Sequence, residues 1–340
     1  MSLPGVTGAR LLRRTLRLHR PVVTAHGPVG DREVLLLGLS DADGNTGWGE
    51  AAPLPGFTPE TLDEAGEAIL AWLDDGDRAD PPATPTARAA VDGALLHLAA
   101  RAAGMPLHRH LNPDSPSSMA VSALVGGDTA EELAVAGRAA VDAGHRAVKA
   151  KVGVLDIGTD VARVVALSDA VGDGVAIRLD ANGAWSTDEA PGHLERLAHL
   201  GVEFVEEPVA GVEALAALRA ASPIPVAADE SATTPEGFEA VVSAGAADLV
   251  VLKPSAVGGI AVAADLAGRA RNGGLGVVVT SLLEGAVGIS HAAHLASAIG
   301  ALDPVPGLAT GALVATDVAQ PPRLAAGRLH LGLGDGLPDG

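Results

Sequence analysis

The sequence predicts an α/β fold: a closed (β/α)8 barrel of TIM type preceded by an N-terminal α+β domain. Three observations predict it. From about residue 119 onward, short β-branched or apolar runs alternate with Ala/Leu/Glu-rich helical stretches, a rhythm that implies parallel strands joined by helical crossovers. The unit recurs seven times, with a further strand near "PGLATG", within about 200 residues, which is the size of a closed barrel. Ionisable residues also recur at the C-terminal ends of successive strands, where barrels of this type form their sites. A doubly wound open sheet is the alternative, but no glycine fingerprint for a dinucleotide follows the first strand.

The N-terminal domain is expected over 1–115. "LRLHRPVV" and "EVLLLGLSD" read as strands and "DADGNTG" as a turn between strands. "PETLDEAGEAILAWLDD" has helical periodicity with an acidic start, and "ARAAVDGALLHLAARAAG" is a second helix ending at glycine. The opening "MSLPGVTGARLLRRTLRLHR" is basic but has no continuous apolar stretch and no cleavage-type tripeptide. It reads as a first strand alternating Leu and Arg rather than a transit peptide. The glycine-rich "TAHGPVGDR" at 24–32 reads from its residues as a β-turn. "NPDSPSS" at 112–118 is the joint.

The barrel is expected over 116–319. Its units are "MAVSALV" with "AEELAVAGRAAVDAG", "AVKAKV" with "DIGTDVARVVALSDAV", "AIRLDA" with "DEAPGHLERLAHLG", and "EFVEEPV" with "VEALAALRAAS". "PVAADES" with "PEGFEAVVSAG", "DLVVLKPS" with "GIAVAADLAGRARNGG", and "GVVVTSLLE" with "AVGISHAAHLASAIG" complete the seven. The tail, 320–340, is expected to join the N-terminal domain.

Composition narrows the function. A net charge of −19 without a basic stripe excludes the usual nucleic-acid binder and disfavours an anionic membrane surface. Aromatics make up 2% and tyrosine is absent, so there is no platform for stacking bases. No apolar run reaches the roughly 18 residues of a membrane span. Cysteine is absent, which removes disulfide and thiolate chemistry and fits a cytoplasmic protein. A small-molecule partner is expected rather than a nucleic acid or a membrane, and a homo-oligomer is compatible with the sequence.

Lysine occurs three times, at Lys149, Lys151 and Lys253, beside twenty arginines. Lys149 and Lys151 share one face of the second barrel strand. Asp180 ends the third strand, Glu206 and Glu207 the fourth, Asp229 and Glu230 the fifth, and Lys253 the sixth. The successive steps from Lys151 to Asp180, on to Glu206, on to Asp229 and on to Lys253 are 29, 26, 23 and 24 residues, each about one β/α unit. Strands two and six lie on opposite sides of an eight-stranded circle. Lys151 and Lys253 should therefore face each other, with the carboxylates on the arc between.

A lone strand-end Asp is ordinarily a turn former or helix cap, and "DANGAWSTDEA" and "ADESATTPE" both offer such caps. Three carboxylates converging in a half-buried site need a cation, because repulsion and desolvation would otherwise protonate some of them. An all-oxygen set favours Mg²⁺, and Mn²⁺ also satisfies it. Arginine stays protonated at any working pH. Lysine acts as a base once its pKa falls from about 10.4 toward ~7–8.

The motifs "KAKVG", "LDANGAW", "VEEP", "ADES" and "LKPS", in this order and spacing, resemble the enolase superfamily over nearly the whole chain. Lysines on strands two and six match its muconate-lactonizing subgroup. The resemblance implies a modified barrel under an α+β capping domain, with Asp180, Glu206 and Asp229 as metal ligands and Lys151 as base. It implies Lys149 as the electrostatic neighbour of Lys151, Lys253 as a cation or second base, and Asn182 as a support for the metal end. Glu207 and Glu230 would stand behind the ligands. Ser281, Glu284 and Gly307 fall where substrate contacts are expected, and 24–32 matches the family's mobile capping loop.

Within the subgroup, "GWGEAAPLPGFTPET" at 47–61 is most similar to the o-succinylbenzoate synthases. The resemblance implies a carbon–oxygen lyase that removes water from 2-succinyl-6-hydroxy-2,4-cyclohexadiene-1-carboxylate on the route to menaquinone or phylloquinone. The same lysine pair serves N-succinylamino acid racemases, dipeptide epimerases and muconate cycloisomerases. The Asp-x-Asp typical of dipeptide epimerases is missing, since "ALDPVPGL" supplies only Asp303. A non-catalytic metal-binding scaffold would have no need of Lys151.

Overall fold

The computed structural model describes residues 5–24, 27–75 and 80–338. The N-terminal part begins with β1 (Gly8–Leu18), the hairpin β2 (Val22–Thr24) and β3 (Gly27–Val29), then β4 (Arg32–Ser40) and β5 (Thr46–Ala51). The expected first strand starts earlier than "LRLHRPVV", because the Leu/Arg alternation from Gly8 pairs along the whole of β4, from Gly8↔Ser40 to Leu16↔Arg32. The segment 24–32 holds β3, while Ala25 and His26 lie outside the described residues, as do residues 1–4 of the opening segment.

Helix α1 (Leu62–Asp74) starts at a capping box, with Thr61 accepting from the Glu64 N–H and the Glu64 side chain answering the Thr61 N–H. Helix α2 (Pro85–Ala102) lies against β5. The glycines of "GWGE" allow that approach: a Cβ on Gly49 would sit 1.8 Å from the Ala90 carbonyl oxygen, and one on Gly47 would sit 2.2 Å from that of Ala94. Helix α3 (Leu107–Leu111) leads to the joint.

The second part opens with β6 (Ser118–Ala120) and β7 (Ala123–Val125), followed by α4 (Ala130–Asp142), β8 (Ala147–Lys151), α5 (Ile157–Val171), β9 (Ala176–Asp180) and α6 (Ala190–Leu197). Then come β10 (Val202–Glu206), α7 (Val212–Arg219), β11 (Val226–Ala228), α8 (Pro235–Ala244), β12 (Leu249–Leu252), α9 (Pro254–Val257), α10 (Ile260–Asn272), β13 (Gly276–Val279) and α11 (Ala286–Ala298). Strands β7 to β13 form one parallel sheet in sequence order. The eighth strand is reduced to a single parallel bridge, Thr280↔Gly307. There the Gly307 N–H donates to Val279 O and the Ser122 N–H donates to Pro306 O, so the 306–307 segment spans from β13 to the β7 side.

Strand alternation sorts the barrel into two cores. Val205, Val226, Ala228, Val250, Leu252, Val277 and Val279 pack outward into the large core with the helices. Phe204, Ala227, Leu249, Val251 and Val278 form a separate cluster that fills the barrel interior. The next inward position on each strand, toward its C-terminal end, is Glu206, Asp229, Lys253 or Thr280. The apolar plug is thus the floor of the site.

The end of the chain divides its contacts. Strand β14 (Val314–Thr316), inside the range expected for the barrel, completes the N-terminal sheet through Arg17↔Thr316. Ala319 packs with Leu16, Val34 and Trp48 of that domain. Strands β15 (Arg323–Ala325) and β16 (Arg328–His330) instead form a hairpin whose β16 pairs with β6, with Leu329 opposite Met119. No helix among the described residues is long and apolar enough to cross a membrane.

Candidate active site

Register brings the charged residues abreast. Lys151 pairs with Asp180 across β8 and β9, and Asp180 pairs with Glu206 across β9 and β10. Asp229 ends the next strand and Lys253 the one after. Asp180, Glu206 and Asp229 are buried, and each offers a carboxylate oxygen within 4.8 Å of the others.

The lysines neutralise this acidity in different ways. Lys149 Nζ lies 2.9 Å from Asp180 Oδ2 and 2.7 Å from Glu206 Oε2. Burial alone would depress its pKa, but Asp180, Glu206 and Asp229 outweigh burial and raise it. Lys151 Nζ instead donates to Asn182 Oδ1 at 2.6 Å. Burial, aided by the nearby Lys149 and Lys253 ammoniums and opposed by Asp180, lowers its pKa. Lys253 is ion-paired with Asp229 and stands 4.5 Å from the centroid of the Phe57 ring.

Among the carboxylates, burial pushes Glu206 up to about 7. Burial has the same tendency at Asp180, but Lys149 and Lys151 overcome it and hold that group below the usual range. These opposed environments fit a divalent cation: three buried oxygen donors converge, and a lysine rather than a hydrogen-bonding neutral group compensates two of them.

Behind the ligands, the Glu207 carboxylate accepts the Asp229 N–H at 2.8 Å and the Ser231 hydroxyl, which fixes the turn after β11. Asn182 Nδ2 donates to Glu230 Oε1 at 2.9 Å, and the Asn182 N–H donates to Asp180 Oδ1 at 3.1 Å. Asn182 therefore links all three, Lys151 and Glu230 through its side chain and Asp180 through its main-chain N–H. Burial, reinforced by Asp229, pushes Glu230 up to about 8. Asn182, Glu207 and Leu283 have positive φ values of 46°, 37° and 56°. All three follow strand ends at this mouth, and strain in non-glycine residues concentrates at functional sites.

The pocket contains about 820 Å³ of space, open solvent at its mouth included. Lys149, Lys151, Asp180, Asn182, Glu206, Asp229 and Lys253 line it, as do Ser281 and Gly307. Its roof is apolar, with Val22, Leu54 and Phe57 from the N-terminal domain and Leu282 and Leu283 from the barrel.

Glu284 corrects the sequence reading. It does not line the pocket but is buried beside it, accepting from the Ser255 hydroxyl at 3.0 Å and from the Leu282 N–H. The segment "GVVVTSLLE", expected to run as a strand to Glu284, ends its strand at Val279, and the chain turns at Leu283 and carries the Glu284 side chain away from the pocket. Sequence reasoning also missed two inward residues. Arg178, two residues before Asp180, is buried beneath it and donates to Glu203 and to Val305 O, each at 2.7 Å. Thr280 lines the pocket with a buried hydroxyl that has no partner among the described residues. The period-2 alternation that places Asp180 and Lys253 inward would have found both.

The Enolase C-terminal domain-like family matches residues 131–338. That match spans more than half of the chain and contains all three carboxylates and all three lysines. The chain belongs to the enolase superfamily. It falls in the muconate-lactonizing subgroup. The MenC N-terminal domain family matches residues 6–94. Among superfamily enzymes, muconate cycloisomerase 1 of Rhodococcus opacus is 31% identical over 94% of this chain and 91% of its own. The o-succinylbenzoate synthase of Mycolicibacterium smegmatis is 42% identical over 51% of this chain and 53% of its own. The dipeptide epimerase of Enterococcus faecalis, solved with Mg and the dipeptide L-Leu-L-Tyr, superposes with a TM-score of 0.87 at 26% identity, covering 97% of this chain and 99% of that one.

Proposed function

We propose that the protein is an o-succinylbenzoate synthase, removing water from 2-succinyl-6-hydroxy-2,4-cyclohexadiene-1-carboxylate. The observation that carries this reading is the polarity of the pocket. Its only acidic lining residues, among those described, are Asp180, Glu206 and Asp229. With a cation held there, nothing acidic among the described lining residues would remain for the ammonium group of a free dipeptide. The apolar roof and Phe57 suit a carbocyclic ring. The MenC-type N-terminal match and the 42% identity to a synthase over half the chain support the same substrate.

Asp180, Glu206 and Asp229 would hold Mg²⁺, which supplies Lewis-acid stabilisation of the charge that develops on the substrate carboxylate. Lys151, whose pKa is lowered, takes the proton from the ring carbon bearing that carboxylate. The electron pair left behind expels the ring hydroxyl, Lys151 returns the proton to it, and water and an aromatic ring result. Asn182 orients Lys151 through the 2.6 Å hydrogen bond. Lys253, held by Asp229 and Phe57, stands across the barrel as a cation for the anionic intermediate.

The second reading is a racemase of N-succinylamino acids. Lys151 and Lys253 lining one pocket from opposite strands favour it, because two-base proton transfer needs both lysines. Lys151→Arg tests the common step. Arginine cannot accept the proton, so kcat should fall by about 10³-fold while EDTA abolishes wild-type turnover. Retained activity in the variant would place the base elsewhere. Lys253→Met separates the two readings: it abolishes racemisation, whereas dehydration keeps its proton-transfer base.

A further inference from the structure

We propose that Arg32 is a positioning residue that locks the two halves of the pocket roof together. It is the first residue of β4, immediately after the hairpin that carries Val22 and Val29. Its side chain crosses from one domain to the other and is 6% exposed. One terminal nitrogen donates to Leu282 O at 2.9 Å and to Leu283 O. The other donates to Ala52 O and Pro53 O, each at 2.8 Å.

Those four carbonyls belong to the two segments that form the roof. Leu54 and Phe57 follow Ala52 and Pro53, and Leu282 and Leu283 are themselves pocket residues. Leu54, Leu282 and Ala256 form one apolar cluster with Val29 and Phe57 packed against it. Leu283 holds a left-handed backbone at φ 56°, a conformation that persists in a bulky residue only when its surroundings enforce it. Arg32 bonds the carbonyl of that residue.

The chemistry demands a guanidinium. Two pairs of donors in one plane meet two pairs of carbonyls, whereas an ammonium has three donors on one point and cannot span them. Removing the fork would leave four main-chain carbonyls without their donors. The roof would then lose its fixed distance to the lysines and its seal against water, and a displacement of about 1 Å can cost about 100-fold in rate. The proposal rests on the reading of this pocket as the active site, though not on which carboxylate it processes.

The test uses full-length, Mg²⁺-loaded protein carrying Arg32→Lys or Arg32→Met. Hydrogen–deuterium exchange should rise together in 52–57 and 282–288 while 176–180 and 202–206 stay protected, and Mn²⁺ affinity measured by electron paramagnetic resonance should not change. With the cyclohexadiene substrate, kcat/KM should fall about 100-fold through kcat more than KM, less in the Lys variant than in Met. Exchange rising in neither segment, in one alone, or everywhere in both variants would overturn the proposal, as would full kcat/KM. Should the wild type make no aromatic product, the synthase reading fails, and the exchange pattern still decides the role of Arg32.

Discussion

Lys149 and Lys151 are two residues apart on β8 and line the same pocket, yet their ammonium groups have opposite surroundings. Lys149 is clamped between two carboxylates and Lys151 is held by a neutral amide. Lys149 therefore occupies acceptor oxygens that a cation would share. Lys149→Met should lower the melting temperature of the Mg²⁺-free protein, since breaking a buried pair costs about 3 kcal/mol. It should also tighten Mn²⁺ binding by removing a like charge, and added Mg²⁺ should restore the melting temperature. Weaker Mn²⁺ binding would show that Lys149 organises the ligands rather than competing for them. Lys151, Asp180, Glu206, Asp229 and Lys253 were legible in the sequence because each follows the last by about one β/α unit, and Lys149 because lysine occurs nowhere else. Arg178 and Thr280 were passed over, because arginine is common here and threonine is unremarkable until the strand alternation is applied to it. Arg32 was invisible, since its four acceptors are main-chain carbonyls from segments 20 and 250 residues away.

At the level of elements, the sheet and its helices followed from hydrophobic periodicity, including the acidic start of α1 and the helix ending near Gly104. The periodicity could not show how closely α2 lies on β5. That contact depends on Gly47 and Gly49, and it brings Glu50 to the start of α11, where its carboxylate accepts the N–H groups of Gly285 and Gly288 at 2.7 and 2.9 Å. Gly49→Ala puts a methyl into the Ala90 carbonyl. Calorimetry should register a loss of about 3 kcal/mol, with a rise in KM if α11 and the preceding roof segment shift with β5. A neutral substitution would mean that α2 can withdraw freely. The eighth strand marks another limit of pattern reading: "PGLATG" is too short and glycine-rich to propagate a ladder and contributes one bridge.

Across the whole molecule, four histidines gather where α2, α3 and α11 meet the tail. His108 Nδ1 lies 3.0 Å from His294 Nδ1, His294 Nε2 lies 3.4 Å from Asp335, and the rings of His97 and His291 meet edge to face. Burial depresses His97 and His108 to about 4 and His291 to about 3. Each therefore stays neutral when folded, while the unfolded chain takes up protons near pH 6.5. The stability they contribute is complete above pH 6.5 and is lost as pH falls toward 4, at roughly 1.4 kcal/mol per pH unit for each group. His291→Asn removes one such group, so the gap in melting temperature between wild type and variant should shrink from pH 7.5 to pH 5. A constant gap would show that His291 does not titrate differently in the two states. The sequence placed both α11 histidines on a helix, but not that every residue of this helix is buried between domains.

The N-terminal domain and the barrel together line a pocket with three buried carboxylates and an apolar roof, and Lys151 lies in it. The most direct measurement is absorbance-monitored turnover in D₂O of the Mg²⁺-loaded protein with 2-succinyl-6-hydroxy-2,4-cyclohexadiene-1-carboxylate. The account predicts rapid appearance of the aromatic product, abolished by EDTA. No product, together with fast exchange of the α-proton of N-succinylamino acids under the same conditions, would contradict it and leave the racemase reading in its place.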